Sequence, residues 1–186
     1  VILMGSNHNH NDLKSFKWAF IINLIFTVIE IIGGYISNSI AITSDGVNTS
    51  LLYREKENQK FKEILTTNFK ESVRPLAFTF DNKYLYVSSN RGRDKSAIYK
   101  FNLKKAQEEE LLFEHPEVDV TSIYWSKKRQ VLTGVSYETE KVQRVFFDKQ
   151  REDLQNKLEK LLPGWDVSLA GMDKEETTTI VVSYSE

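Results

Sequence analysis

The 186-residue sequence contains no cysteine, which excludes disulfide bonds, thiolate metal sites and cysteine nucleophiles. It also lacks a surplus of positive charge, because 25 lysines and arginines stand against 26 aspartates and glutamates, a net charge of -1. A general nucleic-acid binder neutralises phosphates with surplus lysine and arginine, so we expect no nucleic-acid partner. The absence of cysteine leaves the compartment open, since such a chain is stable in reducing and oxidising environments alike.

Motifs for hydrolysis and for phosphate binding are missing as well. A hydrolase nucleophile elbow needs Gly-x-Ser-x-Gly, and the nearest string, Gly134-Val135-Ser136-Tyr137-Glu138, lacks the second glycine and is expected within a strand. His115 lies in a predicted turn, where we expect a surface or hydrogen-bonded ring rather than a catalytic base. Glu108-Glu109-Glu110 predicts a solvated acidic turn. Gly33-Gly34 is not followed by the Lys-Ser/Thr of a phosphate loop. The sequence therefore predicts no catalytic activity for this chain by itself.

An apolar run from Trp18 to Ile36 precedes the charge-rich remainder of the chain. It spans 19 residues, close to the roughly 20 needed to cross a bilayer core. Lys14 and Lys17 come before it, which places the N-terminus on the cytoplasmic side if the run inserts. We therefore predict a transmembrane α-helix, contact with the membrane through residues 18–42, and a membrane location. A signal peptide, or an N-terminal segment foreign to the protein, would instead allow a cytoplasmic or secreted location.

Polar and small residues within and just after this run share one stripe. Asn23, Thr27, Glu30, Gly34 and Ser37 are spaced 4, 3, 4 and 3 apart, which stacks them on one side of a helix. A carboxylate near the middle of a lone span costs on the order of 2.5–3.5 kcal/mol. The stripe therefore favours packing against other membrane helices, with the glycine allowing close approach.

The stretch AFIINLIFTVIEIIGGYISNSIAITSDG resembles the first membrane helix, and the turn into the second, of the cation diffusion facilitator family. The resemblance covers about residues 8–47. It implies export of zinc or a similar divalent ion in exchange for protons, and it makes zinc the candidate ion. From the residues alone we expect no cofactor.

Candidate metal ligands follow from this resemblance and from the polar tail. The ligand pair that the family carries four residues apart would fall at Asn48 and Leu52, where asparagine is a poor ligand and leucine cannot coordinate. Asp45 lies just before this pair. His8 and His10 are too few to hold an ion alone, because a stable site needs three or four ligands. Transport by this chain alone is therefore not expected.

After residue 48 the pattern changes to short alternating strands separated by polar turns. A hairpin is predicted across Asp81-Asn82-Lys83. The predicted strands cover residues 50–54, 60–65, 76–80, 84–88, 97–101 and 111–113.

The strand–turn–strand pattern then recurs. The string that begins at Phe80 corresponds to the one that begins at Trp125, 45 residues on, and to the one at Met172, 47 further. A period of 40–50 residues with several strands per unit is typical of β-propeller blades. Residues 48–186 would supply about three blades, whereas closed propellers usually have four to eight. We therefore expect the remaining blades to be partners of this chain.

One helix is predicted between the second and third repeats. Residues 149–162 carry four leucines at helical spacing, and Pro163-Gly164 ends the pattern, which predicts an amphipathic helix inserted in a blade connection. The leucines are Leu154, Leu158, Leu161 and Leu162.

The strings KEILTTNFKES, YVSSNRGRDKSAIYKF and LLFEHPEVDV resemble the β-propeller of the prolyl oligopeptidase family of serine peptidases, in its acylaminoacyl-peptidase-like branch. The resemblance covers nearly all of residues 48–186. It implies a non-catalytic lid that filters peptide substrates by size, with the catalytic triad in a separate hydrolase domain. Arg91 and Arg93 flank Gly92 in a predicted turn, where they contact either a peptide terminus or solvent.

The sequence thus predicts a mainly β fold: a partial β-propeller of about three blades with one inserted helix, preceded by an N-terminal transmembrane helix. The predicted domains are residues 1–47, cation-efflux-like, and residues 48–186, prolyl-oligopeptidase-like. The predicted function is that of a non-catalytic propeller fragment of a serine peptidase joined to a membrane helix. The alternatives are a membrane component of zinc efflux and a membrane-tethered propeller that acts as an interaction module.

Overall fold

The fold is described from a computed structural model, which covers residues 17, 18, 20–22, 24, 25, 38–45 and 47–185. The chain divides into two compact units. One consists of residues 52–63 with the described residues up to 42, and the other of residues 43–51 and those from 64 onward.

The described residues are mainly β, as predicted. The four sheets have the strand orders β1-β2-β3, β4-β5-β6-β7, β10-β9-β8 and β11-β12. The elements are β1 (Ser39–Ser44), β2 (Asn48–Arg54), β3 (Lys62–Asn68), β4 (Val73–Phe78), β5 (Tyr84–Ser89), β6 (Ala97–Asn102), β7 (Gln107–Phe113), β8 (Val120–Ser126), β9 (Val131–Glu138), β10 (Val142–Phe146), α1 (Lys149–Leu161), β11 (Trp165–Met172) and β12 (Thr179–Ser185).

The sheets from β4 onward are meanders in which each strand pairs antiparallel with the next along the chain. This is the arrangement of propeller blades. Only β4–β7 has the four strands of a full blade, whereas β8–β10 has three strands and β11–β12 has two. The predicted propeller character is therefore confirmed. The estimate of about three blades is refined to one four-stranded sheet and, after it, two sheets with fewer strands.

Each repeat contains one residue with a left-handed backbone at the turn of its first hairpin. These residues are Asn82, Gln130 and Glu176, with φ of 56°, 54° and 55°. Asparagine adopts this conformation readily, whereas glutamine and glutamate do so rarely. The repeats therefore share this turn conformation although the residue types at the turn differ.

The core between the sheets β4–β7 and β8–β10 is apolar. It is centred on Ile98, Val120, Ile123 and Val135, which are 0–8% exposed. Three hydrogen bonds join the two sheets beside this core: Arg74 Nη2 to the Thr121 carbonyl (2.9 Å), Ser88 Oγ to the Val120 carbonyl (2.8 Å), and the Val120 amide to the Ser96 carbonyl (2.9 Å). The two repeats therefore pack face to face with their backbone polar groups satisfied.

Helix α1 confirms the predicted inserted helix, but its buried face is not the predicted one. Asp148 caps its N-terminus by accepting from the Arg151 amide at 2.9 Å. The buried residues are Arg151 and Gln155, 8% and 2% exposed, whereas Leu161 is 74% exposed. The leucine spacing located the helix correctly. It missed the buried polar residues because periodicity cannot show that an arginine lies beneath aromatic rings.

The N-terminal prediction is tested only in part. Residues 17, 18, 20–22, 24 and 25 are helical, with Trp18 66% and Phe20 67% exposed. Nowhere in the described ranges does a helix have the length and hydropathy of a membrane span. The polar stripe from Asn23 to Ser37 lies outside the described residues, so the transmembrane helix stays a prediction.

Residues 39–42, the end of the segment predicted to contact the membrane, belong to strand β1. The reason is local: Ser39–Ser44 alternates small or polar residues with isoleucine, a period-2 pattern with β-branched side chains that favours a strand. The membrane contact itself stays a prediction.

Candidate functional site

The predicted metal ligands are placed as follows. Asp45 directly follows strand β1, and its Oδ1 accepts hydrogen bonds from the Val47 and Asn48 amides at 2.9 and 2.7 Å. These bonds lower the pKa of Asp45 from its ordinary value. The carboxylate therefore stabilises the turn between β1 and β2. His8 and His10 lie outside the described residues.

The described part of the chain contains no group of three or more His, Cys, Asp or Glu side chains that could hold a metal ion. Asn48 begins strand β2 and Leu52 lies within it. Since two of the predicted ligands fall outside the described ranges, the metal site stays a prediction.

The acidic run Glu108-Glu109-Glu110 was expected in a turn, but it lies in strand β7. Glu108 accepts from Ser89 Oγ at 2.9 Å and from Arg91 Nη1 at 2.6 Å. Lys105 binds Glu109 at 2.6 Å, and Lys100 lies 3.5 Å from Glu110. A neighbouring cation for each carboxylate offsets the like-charge repulsion within the run. The pairing also engages Arg91, one of the two arginines considered for a peptide terminus.

A shallow depression of about 230 Å³ lies where the turn after β5 meets the segment after β7. Arg93 donates to Glu114 Oε2 at 2.5 Å and to the Tyr99 hydroxyl at 3.0 Å, and these bonds raise its pKa. Lys95 lies 3.3 Å from Asp94. The charges in the depression therefore balance within it. Its lining residues are Arg93, Asp94, Lys95, Glu114, His115 and Pro116.

His115 borders this depression and has a structural role. Its Nδ1 accepts from the Glu117 and Val118 amides at 3.2 and 3.3 Å, and its ring lies 4.6 Å from the Tyr137 ring. Because Nδ1 already accepts two amides, this atom is not available as a general base. The expectation of a hydrogen-bonded histidine is therefore confirmed.

The Gly134–Glu138 string lies within β9, as predicted. Ser136 is 8% exposed, so it does not present the exposed hydroxyl of a nucleophile elbow. A Cβ on Gly134 would collide with the Val145 carbonyl oxygen on the neighbouring strand. The glycine thus permits close approach of β10.

A charged junction, defined by Arg129, Asp148 and Glu176, joins the β8–β9 turn, the start of α1 and the β11–β12 turn. Arg129 binds Asp148 through two bonds of 2.5 and 2.8 Å, and its Nε lies 3.9 Å from Glu176. Glu176 also accepts from Ser126 Oγ at 2.6 Å. The bidentate bond to Arg129 lowers the pKa of Asp148.

A second arginine, Arg151, lies in a different environment on the same helix. Its guanidinium carbon is 5.1 Å from the centre of the Phe146 ring and 5.6 Å from that of Tyr124. Its Nη1 donates to Gln155 at 3.4 Å. No Asp or Glu side chain among the described residues forms an ion pair with it. Sequence reasoning missed this residue, because the only signal was an arginine one turn before a leucine on the apolar side of a helix.

The four-stranded meander, the packing of the next meander against it, and the repeated left-handed turn describe consecutive propeller blades. The family model Lactonase, 7-bladed beta-propeller matches residues 31–166 of the chain. This chain belongs to that family. The match includes strands β1–β10 and helix α1, and it confirms the propeller prediction without distinguishing a peptidase or a cation-efflux relative. No curated protein and no solved structure matches the chain.

The family match begins before residue 48, where the domain boundary was predicted. Strand β1 lies in the matched range, and it neighbours β2 in its sheet. The boundary between residues 47 and 48 stays a prediction.

Proposed function

We propose that this chain is a non-catalytic propeller segment of a serine peptidase of the prolyl oligopeptidase type, in which the propeller limits the size of the peptides that reach a separate hydrolase domain. The observation that carries the proposal is that three potentially reactive side chains in the described blades are engaged in contacts within the blade. His115 accepts two backbone amides, Ser136 is buried within β9, and Arg93 is bound to Glu114 and Tyr99. Each stabilises the blade rather than facing a substrate.

The exposed apolar residues of the sheet β11–β12 support the same proposal. Ile180 and Tyr184 of β12 are each 64% exposed, and β12 pairs only with β11 within the described chain. An apolar, half-paired sheet is completed when further strands and a further blade cover it. The segment therefore functions as part of a larger propeller.

The family match favours a second candidate, hydrolysis of a lactone ring, since the matching model is named for lactonases. The two candidates differ in where the reacting groups lie. A lactonase would place them in the propeller itself, whereas a peptidase of the proposed type places them in a separate domain.

The first test is an assay of the purified chain with an N-acetyl-alanyl anilide and with δ-gluconolactone. We expect neither to be hydrolysed and no labelling by a serine-directed fluorophosphonate. Lactone hydrolysis above that of a heat-treated sample would favour the second candidate. Labelling that disappears in Ser136→Ala would overturn the non-catalytic assignment.

The positive test is a single long DNA read across the coding region and its flanks. The proposal expects further blade repeats and a Gly-x-Ser-x-Gly hydrolase segment in frame with this chain. A reading frame that encodes only further lactonase-type blades would refute the peptidase assignment.

A further inference from the structure

The guanidinium of Arg151 is buried and has no anionic partner among the described residues. The residue is 8% exposed. Burying an unpaired cation is costly, so buried arginines are normally paired with a carboxylate. Here the two aromatic rings supply part of the compensation by cation–π contact, since Phe146 and Tyr124 lie 5.1 and 5.6 Å away.

A second guanidinium increases the local positive charge. Arg144 donates to Ser168 Oγ at 2.5 Å and to Asp166 Oδ1 at 3.2 Å, so it has a carboxylate of its own. Burial, and to a smaller extent the charge of Arg144, lower the pKa of Arg151. Arg144 thus adds a second positive charge near Arg151, and the neighbouring carboxylates, Asp166 and Glu159, are bonded to Arg144 and to Gln155.

The hydrogen-bonding pattern of Arg151 leaves one edge of its guanidinium unused. Nη1 donates to Gln155 at 3.4 Å, whereas Nε and Nη2 donate to no described residue. Among the described residues, three side-chain nitrogens are sealed from solvent and have no hydrogen-bond partner: Nε of Arg54, Arg93 and Arg129. Nε and Nη2 of Arg151 are therefore not sealed. These two N–H groups form the fork that binds a carboxylate with two parallel bonds.

The packing also restrains the guanidinium. The Tyr124 and Phe146 rings both lie near the guanidinium. Their centroids are 6.3 Å apart, and their planes are 28° from parallel. Gln155 is itself held, because its Nε2 donates to the Val167 carbonyl at 2.8 Å and to Glu159 at 2.9 Å. An arginine whose orientation is already set loses little entropy when it binds an anion.

We propose that Arg151 is the anchor of a binding site for a small carboxylate, with the free Nε–Nη2 edge donating both hydrogen bonds and Arg144 adding long-range attraction. The site lies between strands β8 and β10 and helix α1. It does not depend on the proposed function, because neither a peptidase nor a lactonase role was derived from these residues.

The test is a titration of the ¹⁵N-labelled full chain with propionate at low salt, observed at the arginine Nε–H signals. The Arg151 signal is assigned through its contacts with the Tyr124 and Phe146 rings. We expect saturable shifts centred on Arg151 with propionate and none with propionamide, which has nearly the same shape without the charge. Equal shifts with both compounds, or shifts confined to exposed lysines, would overturn the proposal.

Matched variants distinguish bidentate hydrogen bonding by Arg151 from attraction by its charge alone. Arg151→Lys keeps the positive charge but removes the bidentate edge, and we expect it to weaken propionate binding at least about tenfold. Arg74→Lys is the control, since Arg74 donates to the Thr121 carbonyl and takes no part in the proposed fork, and we expect unchanged binding. Unchanged binding in Arg151→Lys would refute the assignment. If that variant does not fold, the propionate and propionamide titrations of the wild-type chain decide the question.

Discussion

Strands β4–β7 and strands β8–β10 form two consecutive repeats of one pattern, but only the first has a fourth strand. On one face of β4–β7, Leu85, Val87 and Phe101 are at most 1% exposed, and Ile98 on the other face is fully buried. Both faces of this sheet are therefore covered by apolar packing. In the second repeat, β10 is followed by helix α1, and the buried helix residues are an arginine and a glutamine.

In the second repeat the chain continues from the third strand into a helix, whereas in the first it continues into a fourth strand. A strand satisfies its neighbour through backbone bonds, whereas a helix cannot, because its own backbone groups bond internally. Side chains must then make the connection, as Gln155 does when it donates to the Val167 carbonyl. The second repeat shares the apolar core through Val120, Ile123 and Val135, and α1 adds polar contacts that connect it to β11.

The largest effect is expected in the first repeat. Phe101→Ala removes a fully buried ring, and we expect it to lower the free energy of unfolding by about 3–5 kcal/mol. Urea denaturation measures this loss. Leu111→Ala is the control, because Leu111 lies on the neighbouring strand at 45% exposure, and its effect should be much smaller. Equal losses in the two variants would contradict the apolar account of this sheet.

Gly134→Ala probes the close approach of two strands in the second repeat. The added Cβ would meet the Val145 carbonyl oxygen, and we expect a loss of about 1–3 kcal/mol in the free energy of unfolding. Gly171→Ala is the matched control, since a Cβ there meets nothing within 4 Å. A neutral Gly134→Ala would show that β10 shifts freely and that the second repeat is loosely packed.

Asp148→Ala tests the polar contacts of the second repeat. It removes the helix cap and the two bonds from Arg129, and we expect a loss of about 1–2 kcal/mol in the free energy of unfolding. Asp153→Ala serves as the control, because Asp153 is half exposed and bonds only Lys149 within the same helix. That variant should be nearly neutral. A neutral Asp148→Ala would show that the charged junction does not stabilise this region.

The smallest effect is a pH dependence confined to the second repeat. The pKa of Asp148 is lowered in the folded chain. Its contribution is therefore present above the unfolded pKa of about 3.9 and is lost as pH falls through the folded value. Urea midpoints measured from pH 6 downward should fall less steeply for Asp148→Asn than for the wild-type chain. Parallel curves would remove Asp148 from the acid response.

Part of the fold and of the candidate site could be predicted from the sequence. The repeat beginning at Phe80, Trp125 and Met172 located three hairpins, and the turn position of His115 predicted a structural histidine. The acidic run at 108–110 was placed wrongly in a turn, because its neutralising partners Arg91, Lys100 and Lys105 come from other positions in the chain. Charge density along a sequence does not show which cations lie opposite.

The sequence by itself determined the mainly β character, the repeat period and the position of α1, since these depend on hydrophobic periodicity and turn residues that act over a few neighbours. The tertiary structure was needed to show that Arg151 lies against the Tyr124 and Phe146 rings and that Arg129, Asp148 and Glu176 meet at one junction. The members of these clusters come from different strands, turns and the helix. Their contact depends on how successive sheets stack, which no local pattern encodes.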